Sequence, residues 1–424
     1  MHRKSIFLAP LILILAGTGC TDDGTSPPGK ADKPMQRMDQ FCTMPGMSTP
    51  FRQTFIVIDE KKLLGTKSPQ EFNEKNARTR DAVLAFTDPA LAVEYGKSAA
   101  RERVTLILAP SDGSAPKKIF TGCLPALSSA DRQKIKEKES SMSNFFTGGS
   151  EQDINEAASN FRSRVVASLL NASKENSFEP PSDSRVFQSL AAGGSIYREV
   201  ETVPRIIIIS DHLLDDVPTD LTKARQAGLI FGAKQKTQLG NAEILVVGDG
   251  SQSESARGYL SSSFLAMGAN LNSWSEDSES LSATPAPTKI LRYSGEAFVV
   301  GTSYREIINI RIALDQNNQL VNSWVILPGS PQGIPMTGGG ACKTDGSCEL
   351  RSDSGLFAQA WIASRGAEPA FDDAMPFGGM RSWEISLKNE KLVGRIYDAA
   401  IARVLIQGQD DFKIEASLVQ NADF

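Results

Sequence analysis

The spacing of apolar residues changes character once along the chain, near residue 280. Before that point, short and almost wholly apolar runs alternate with stretches of helical spacing. Thr54–Ile58, Val104–Ala109, Arg205–Ile209 and Glu243–Val247 are β-branched and little interrupted, as strands covered on both faces are. Between them, Asn73–Tyr95 keeps helical spacing up to a break near Pro89, and Ser128–Ser143 is charged and helical. Ile154–Leu170 sets Ala157, Phe161, Val165 and Leu169 on one stripe, with Ser150 as its expected N-cap. Val186–Ala192 and Ser255–Gly268 read as further helices, and a short one from Leu221 is expected to end at Gly228. Lys117–Cys123 can return beside Val104–Ala109 as a hairpin. This alternation predicts an α/β domain over residues 51–274 with a mainly parallel sheet.

Residues 275–288 are rich in Ser, Glu, Pro and Thr and read as a linker. After it the period becomes strand-like. Ala297–Val300, Ile307–Leu314, Leu320–Leu327, Leu356–Ile362, Trp383–Leu387, Lys391–Tyr397, Ala402–Ile406 and Phe412–Val419 are short runs between turn residues. Residues 289–424 are therefore expected to form an all-β domain, a β-sandwich or small β-barrel. Ala313–Val321 and Ile385–Val393 share a pattern of Leu, polar turn, Leu-Val, which fits either a duplicated unit or the common grammar of hairpins.

The chain has 424 residues, 40% hydrophobic, and a formal charge of −5. That is enough apolar material for two ordinary domains. A mildly acidic chain without a long basic cluster argues against nucleic acid as the partner.

The first residues carry a separate message. His2, Arg3 and Lys4 precede an apolar run from Ile6 to Ala16, then Gly17, Thr18, Gly19 and Cys20. This is the three-part layout of an export signal, its apolar core too short to span a bilayer. Residues 20–50 are poor in aliphatic side chains and read as a flexible tether. The cysteine placed directly after small residues resembles the lipobox of bacterial lipoproteins, although Gly17 departs from the larger aliphatic residue usual there. The resemblance implies removal of residues 1–19, acyl chains on Cys20 and stable membrane attachment. Thr21, where that family's inner-membrane retention signal has Asp, implies an outer-membrane address facing the periplasm or the cell surface.

In an exported chain the four other cysteines are expected to pair. Cys342 and Cys348 flank a turn-prone loop and are expected to bridge each other, leaving Cys42 with Cys123. Zinc is disfavoured by the spacing and by the single histidine, His212, beyond the leader.

Phe55-Ile56-Val57-Ile58-Asp59 and Ile206-Ile207-Ile208-Ile209-Ser210-Asp211, with Ser182-Asp183-Ser184 before the helix at Val186, resemble in order and type a von Willebrand factor A domain over about half the chain. In that family an Asp-x-Ser-x-Ser loop, a Thr and a second Asp hold a divalent cation that a partner's carboxylate completes. The resemblance aligns Asp59 and Asp211 with the two acids and Ser182 or Ser184 with the Thr, a ligand set of Asp59, Ser184 and Asp211 for Mg²⁺. Lys61 and Leu63 replace the two serines, so it also implies a degenerate site in which a lysine charge takes the place of the metal.

Other motifs carry less. His212 beside Asp211 lacks a second histidine or a converging nucleophile and fits a loop residue capping the next helix. Gly248-Asp249-Gly250-Ser251 lacks a P-loop lysine and reads as a turn. Gly338-Gly339-Gly340 offers an exposed contact loop, and Trp324, Trp361 and Trp383 read as packing residues. No catalytic constellation emerges. The expected function is protein–protein binding or scaffolding through the face carrying Asp59, Lys61, Ser182, Asp183, Asp211 and His212, since open α/β sheets present ligands at strand C-terminal ends. An exported hydrolase of envelope polymers and a structural spacer are the alternatives.

Overall fold

The computed structural model describes residues 41–42, 51–111, 115–129, 131–133, 137, 151–175, 185–197, 202–211, 213–214, 216–248, 253–282, 284–298, 300–303, 305–326, 333–336, 342–343, 345–353, 380–388, 390–397 and 412–420. The leader, Cys20, most of the tether, Ser150, Ser182, Asp183, Ser184, His212, the triglycine 338–340 and the runs expected at 356–362 and 402–406 lie outside them.

The first sheet has six strands in the order β3-β2-β1-β4-β5-β6. They are β1 (Arg52–Asp59), β2 (Arg103–Ala109), β3 (Lys117–Cys123), β4 (Val203–Ile209), β5 (Ala242–Val247) and β6 (Ala269–Ser275). All neighbours run parallel except β3, which returns antiparallel beside β2 as the expected hairpin. Alternate residues of the central strands face opposite layers. Phe55, Val57, Ile206, Ile208, Ile244 and Val246 pack under α5 (Val186–Ala192), α6 (Leu221–Lys234) and α7 (Glu254–Ala266). Ile56, Ile58, Ile207, Ile209, Leu245 and Val247 pack under α1 (Pro69–Lys75), α2 (Ala77–Thr87) and α4 (Glu151–Glu175), with the short α3 (Leu91–Glu94) following α2. Both faces are apolar, so these strands read as unbroken apolar runs.

Two expectations need correction. Helix α6 does not stop at Gly228 but runs to Lys234. Gly228 and Gly232 sit one turn apart against α7, where an added Cβ would lie 2.2 Å from the Tyr259 and Ser263 carbonyl oxygens respectively. They are in the helix to let two backbones approach, and they outweigh their poor propensity by that packing. Strand β6 fills residues 269–273, to which the pattern assigned no element, and runs into Ser275, the first residue of the expected linker; its Asn and Ser content marks it as an edge strand.

The second sheet is antiparallel and closes into an eight-stranded barrel in the order β10-β11-β12-β13-β14-β7-β8-β9. The strands are β7 (Lys289–Phe298), β8 (Arg305–Leu314), β9 (Ser323–Ile326), β10 (Gly333–Met336), β11 (Ser347–Asp353), β12 (Met380–Lys388), β13 (Lys391–Tyr397) and β14 (Phe412–Leu418). Of the sandwich and the barrel, it is the barrel that forms. Strands β10 and β11 and the first eight residues of β7 were not expected from the pattern. The two similar hairpin sequences make different turns. Asp315 accepts from the Asn317 and Gln319 amides in a wide connection closed by Leu314 and Leu320, whereas Lys388 pairs with Lys391 around a two-residue turn.

The α/β part and the barrel belong to one compact unit. Trp324 of β9 is fully buried against Leu229, Leu265 and Ala266 of α6 and α7. Ile290, Ala313 and Val321 pack on Val203 at the start of β4. Arg311 of β8 donates to the Asn241 carbonyl at 2.9 Å and the Gly240 carbonyl at 3.4 Å. In the connection between the two sheets, Leu281 lies in the core cluster with Val83 and Phe86 of α2, and the Thr284 carbonyl accepts from Arg52 at 2.7 Å. Both expected disulfides are formed, Cys42–Cys123 and Cys342–Cys348.

Candidate functional site

The sheet brings Asp59 and Asp211 to the C-terminal ends of its two central strands. Ile58 pairs with Ile209, so Asp59 ends β1 beside Ser210, and Asp211 follows one residue on. Asp59 is buried. Its Oδ1 accepts from the Lys61 amide at 3.1 Å and its Oδ2 from the Ser210 hydroxyl at 2.7 Å. It therefore caps the single 3-10 turn Glu60–Lys62 and ties that turn to the end of β4.

That turn decides which lysine faces the second acid. Lys62, rather than Lys61, forms the ion pair with Asp211, and both side chains are mostly shielded. The Lys62 carbonyl accepts from Thr79 Oγ1 at 2.7 Å, which fixes the turn against α2. Glu60 accepts from the Ser111 amide and hydroxyl at 2.8 and 2.7 Å, joining the loops after β1 and β2. Leu63 points away into the core under α1 and α2. Lys61 is half-buried on the rim. On the far side, Ser210 donates its amide to the Val247 carbonyl at 3.0 Å. Gly248 passes so close that a Cβ there would lie 1.8 Å from the Ser210 carbonyl oxygen. Between Lys62, Thr79, Asp211 and Gly248 there is a narrow cleft of about 10 Å³, room for about one water.

These groups do not fit a divalent cation. Both Asp59 oxygens already accept a protein hydrogen bond, and Asp211 faces an ammonium. Among the described residues no three His, Cys, Asp or Glu side chains gather closely enough to hold an ion. Mg²⁺ demands near-octahedral oxygen ligation, which this pair of acids does not offer. What the arrangement presents is a hydrogen-bonded, preorganised rim of mixed charge.

The opposite end of the sheet holds a buried ionic cluster that sequence reasoning missed. Glu102, just before β2, accepts from Arg52 Nη2 at 2.9 Å and Arg205 Nη2 at 3.1 Å, and also from Thr54. Arg205 reaches the Lys97 carbonyl and Ser98 as well. All three charged side chains are fully buried. Burial alone would raise the Glu102 carboxyl, but the two arginine charges and their hydrogen bonds hold it below the ordinary carboxylate range. Burial pushes Arg205 down to about 10, with the Arg52 charge adding to it and Glu102 and Glu243 opposing. The one signal in the sequence was an arginine heading an otherwise all-isoleucine run.

Comparison with known families finds no family model that matches the chain, and no curated protein matches it. Among solved structures it is similar to the human COPII-coat protein Sec24c, at 10% identity over 90% of this chain with a TM-score of 0.31. The chain spans 45% of the length of that protein, and a likeness of this size carries no argument. No described helix is long and apolar enough to cross a membrane.

Proposed function

We propose that this chain is a lipid-anchored binding protein of the bacterial envelope. In this reading its α/β half is von Willebrand A-like and its strand-end loops contact a protein partner, in adhesion or envelope-complex assembly. The observation that carries the reading is the placing of Asp59 and Asp211 side by side at the ends of β1 and β4, with Lys62 paired to Asp211. A lysine thereby stands where a metal-dependent relative would hold its cation, so recognition is by the rim's own charges, Lys61 among them. Partly exposed charges of this kind steer encounter and set specificity more than they add affinity. Cys20 supplies the anchor and the residues from there to the Cys42–Cys123 bridge the tether.

The test is capture from the envelope fraction of the native host by the wild-type chain and by Lys61→Glu with Asp211→Ala. The partner should be retained by the first and lost by the second, while melting shows the variant still folded. Equal capture by both rejects the loop face. Metabolic labelling with an alkyne fatty acid, lost in Cys20→Ser, checks the anchor independently.

A further inference from the structure

The barrel carries a second concavity that has no part in the reading above. The beginnings of β7 and β13 meet the ends of β8, β12 and β14 at one mouth, where a cavity of about 560 Å³ opens. One side of it is apolar, where Tyr293, Leu314, Leu387 and Leu418 continue the barrel core outwards, and the rest is polar. Its edge carries Lys289, Lys343 and Lys388, all exposed and none in an ion pair among the described residues. Two acids share the edge. Asp345 accepts from the Ser347 amide at 2.8 Å and hydroxyl at 2.6 Å, and these bonds, with the Lys388 and Lys343 charges nearby, hold its carboxyl below the ordinary range; Glu390 is exposed.

The rim is preformed. The Cys342–Cys348 bridge closes it, the Cys342 amide donates to the Asn318 carbonyl at 2.9 Å, and the Leu387 amide donates to the Gly346 carbonyl at 2.7 Å. The pairs Asp353–Met380 and Ile396–Phe412, from which the long connections leave, lie at the other end of the barrel. A cavity of this size falls in the range that holds one small ligand, and barrel mouths are frequent sites for such ligands.

We propose that this mouth binds a free single-chain anionic amphiphile, its tail along Tyr293, Leu314, Leu387 and Leu418 and its head among Lys289, Lys343 and Lys388. An apolar wall under a cationic edge discriminates by charge at the head and by chain at the tail. A neutral or cationic head would forfeit the first of these, and a bare anion the second.

The test titrates the mature chain from residue 20, carrying Cys20→Ser so that it has neither leader nor acyl chain, with dodecanoate below its micellar concentration by calorimetry. Saturable binding of one dodecanoate per chain is expected, with dodecyltrimethylammonium and inorganic phosphate each at least about tenfold weaker, the worth of a lost charge-assisted contact. Lys343→Glu with Lys388→Glu should weaken dodecanoate by a similar factor while leaving far-ultraviolet dichroism unchanged. Vesicles of phosphatidylglycerol should not displace the bound dodecanoate. Absence of saturable binding, equal binding of the cationic amphiphile, or indifference to the lysine reversals would overturn the proposal. Displacement by vesicles would overturn the free amphiphile in favour of membrane lipid. The comparison of the three probes on the parent chain stands even if the double variant fails to fold.

Discussion

Lys62, at the end of a single 3-10 turn, reaches across the top of the sheet to pair with Asp211 after β4. Because the pair is only partly screened, Lys62→Ala should lower stability by about 1 kcal/mol, and less at high salt. The same pairing predicts that millimolar Mg²⁺ or a chelator leaves the wild-type melting temperature unchanged. A rise with Mg²⁺ in differential scanning calorimetry would reject the lysine as the substitute for a cation.

Glu102 bridges Arg52 and Arg205 in a site with no water access. Glu102→Gln leaves two buried arginines without their shared counter-charge and should cost about 3–5 kcal/mol in urea denaturation. The pH dependence has a definite sign. The folded carboxyl lies below its ordinary 4.5, so the unfolded chain binds more protons between the two values. The cluster's contribution is thus complete above about pH 4.5 and is lost as pH falls through the folded value. Glu102→Gln should flatten that part of the acid limb, and an unchanged slope would show that other carboxylates set it.

How much of this was legible in the sequence differs from element to element. The central strands were, because a strand covered on both faces must be apolar throughout, as Ile206–Ile209 is. Strand β6, ANLNSWS, was not, since an edge strand can carry polar residues and keeps no period. The Glu102 cluster and the mouth of the barrel depend on residues brought together from positions 52, 102 and 205, or from four strands and their loops, and no local pattern records such meetings. At the strand ends, Asp59 and Asp211 were visible as acids following apolar runs. Which of two adjacent lysines serves Asp211 depends on the phase of one 3-10 turn, and that is a structural fact.

Gly228→Ala and Gly232→Ala offer a test by sign. Helix propensity alone makes either substitution stabilising by about 1 kcal/mol. Here the added methyl meets a carbonyl oxygen at 2.2 Å, and backbone on both sides must move. The expected outcome is a net loss of about 1–3 kcal/mol in chemical denaturation. A gain in stability would mean that α6 and α7 can separate freely.

The two disulfides should differ in worth. Cys42–Cys123 closes a span of 81 residues and Cys342–Cys348 one of 6. Chain entropy assigns them about 4.5 and 2.2 kcal/mol as upper values. Replacing each pair by serine should therefore shift the denaturation midpoint about twice as far for the first. Equal shifts would mean that the Phe41–Cys42 segment gains little by docking on Ala157.

Trp324 decides whether the barrel and the α/β half unfold together. Among the described residues it is the largest fully buried side chain, and it lies where β9 meets α6 and α7, so its removal empties the centre of that contact. Truncating a buried tryptophan costs about 3–5 kcal/mol. Most of that loss should fall on the coupling, since each half keeps its own apolar core. Arg311 would still donate to the Asn241 carbonyl and Arg52 to that of Thr284, and Ile290, Ala313 and Val321 would still pack on Val203, but these smaller contacts do not replace the buried ring. Wild-type calorimetry should accordingly show a single transition whose van't Hoff and calorimetric enthalpies agree, and Trp324→Ala two resolved ones. A single sharp transition in the variant, displaced to lower temperature, would place the coupling in the remaining contacts instead, the Val203 cluster and the Arg311 and Arg52 hydrogen bonds.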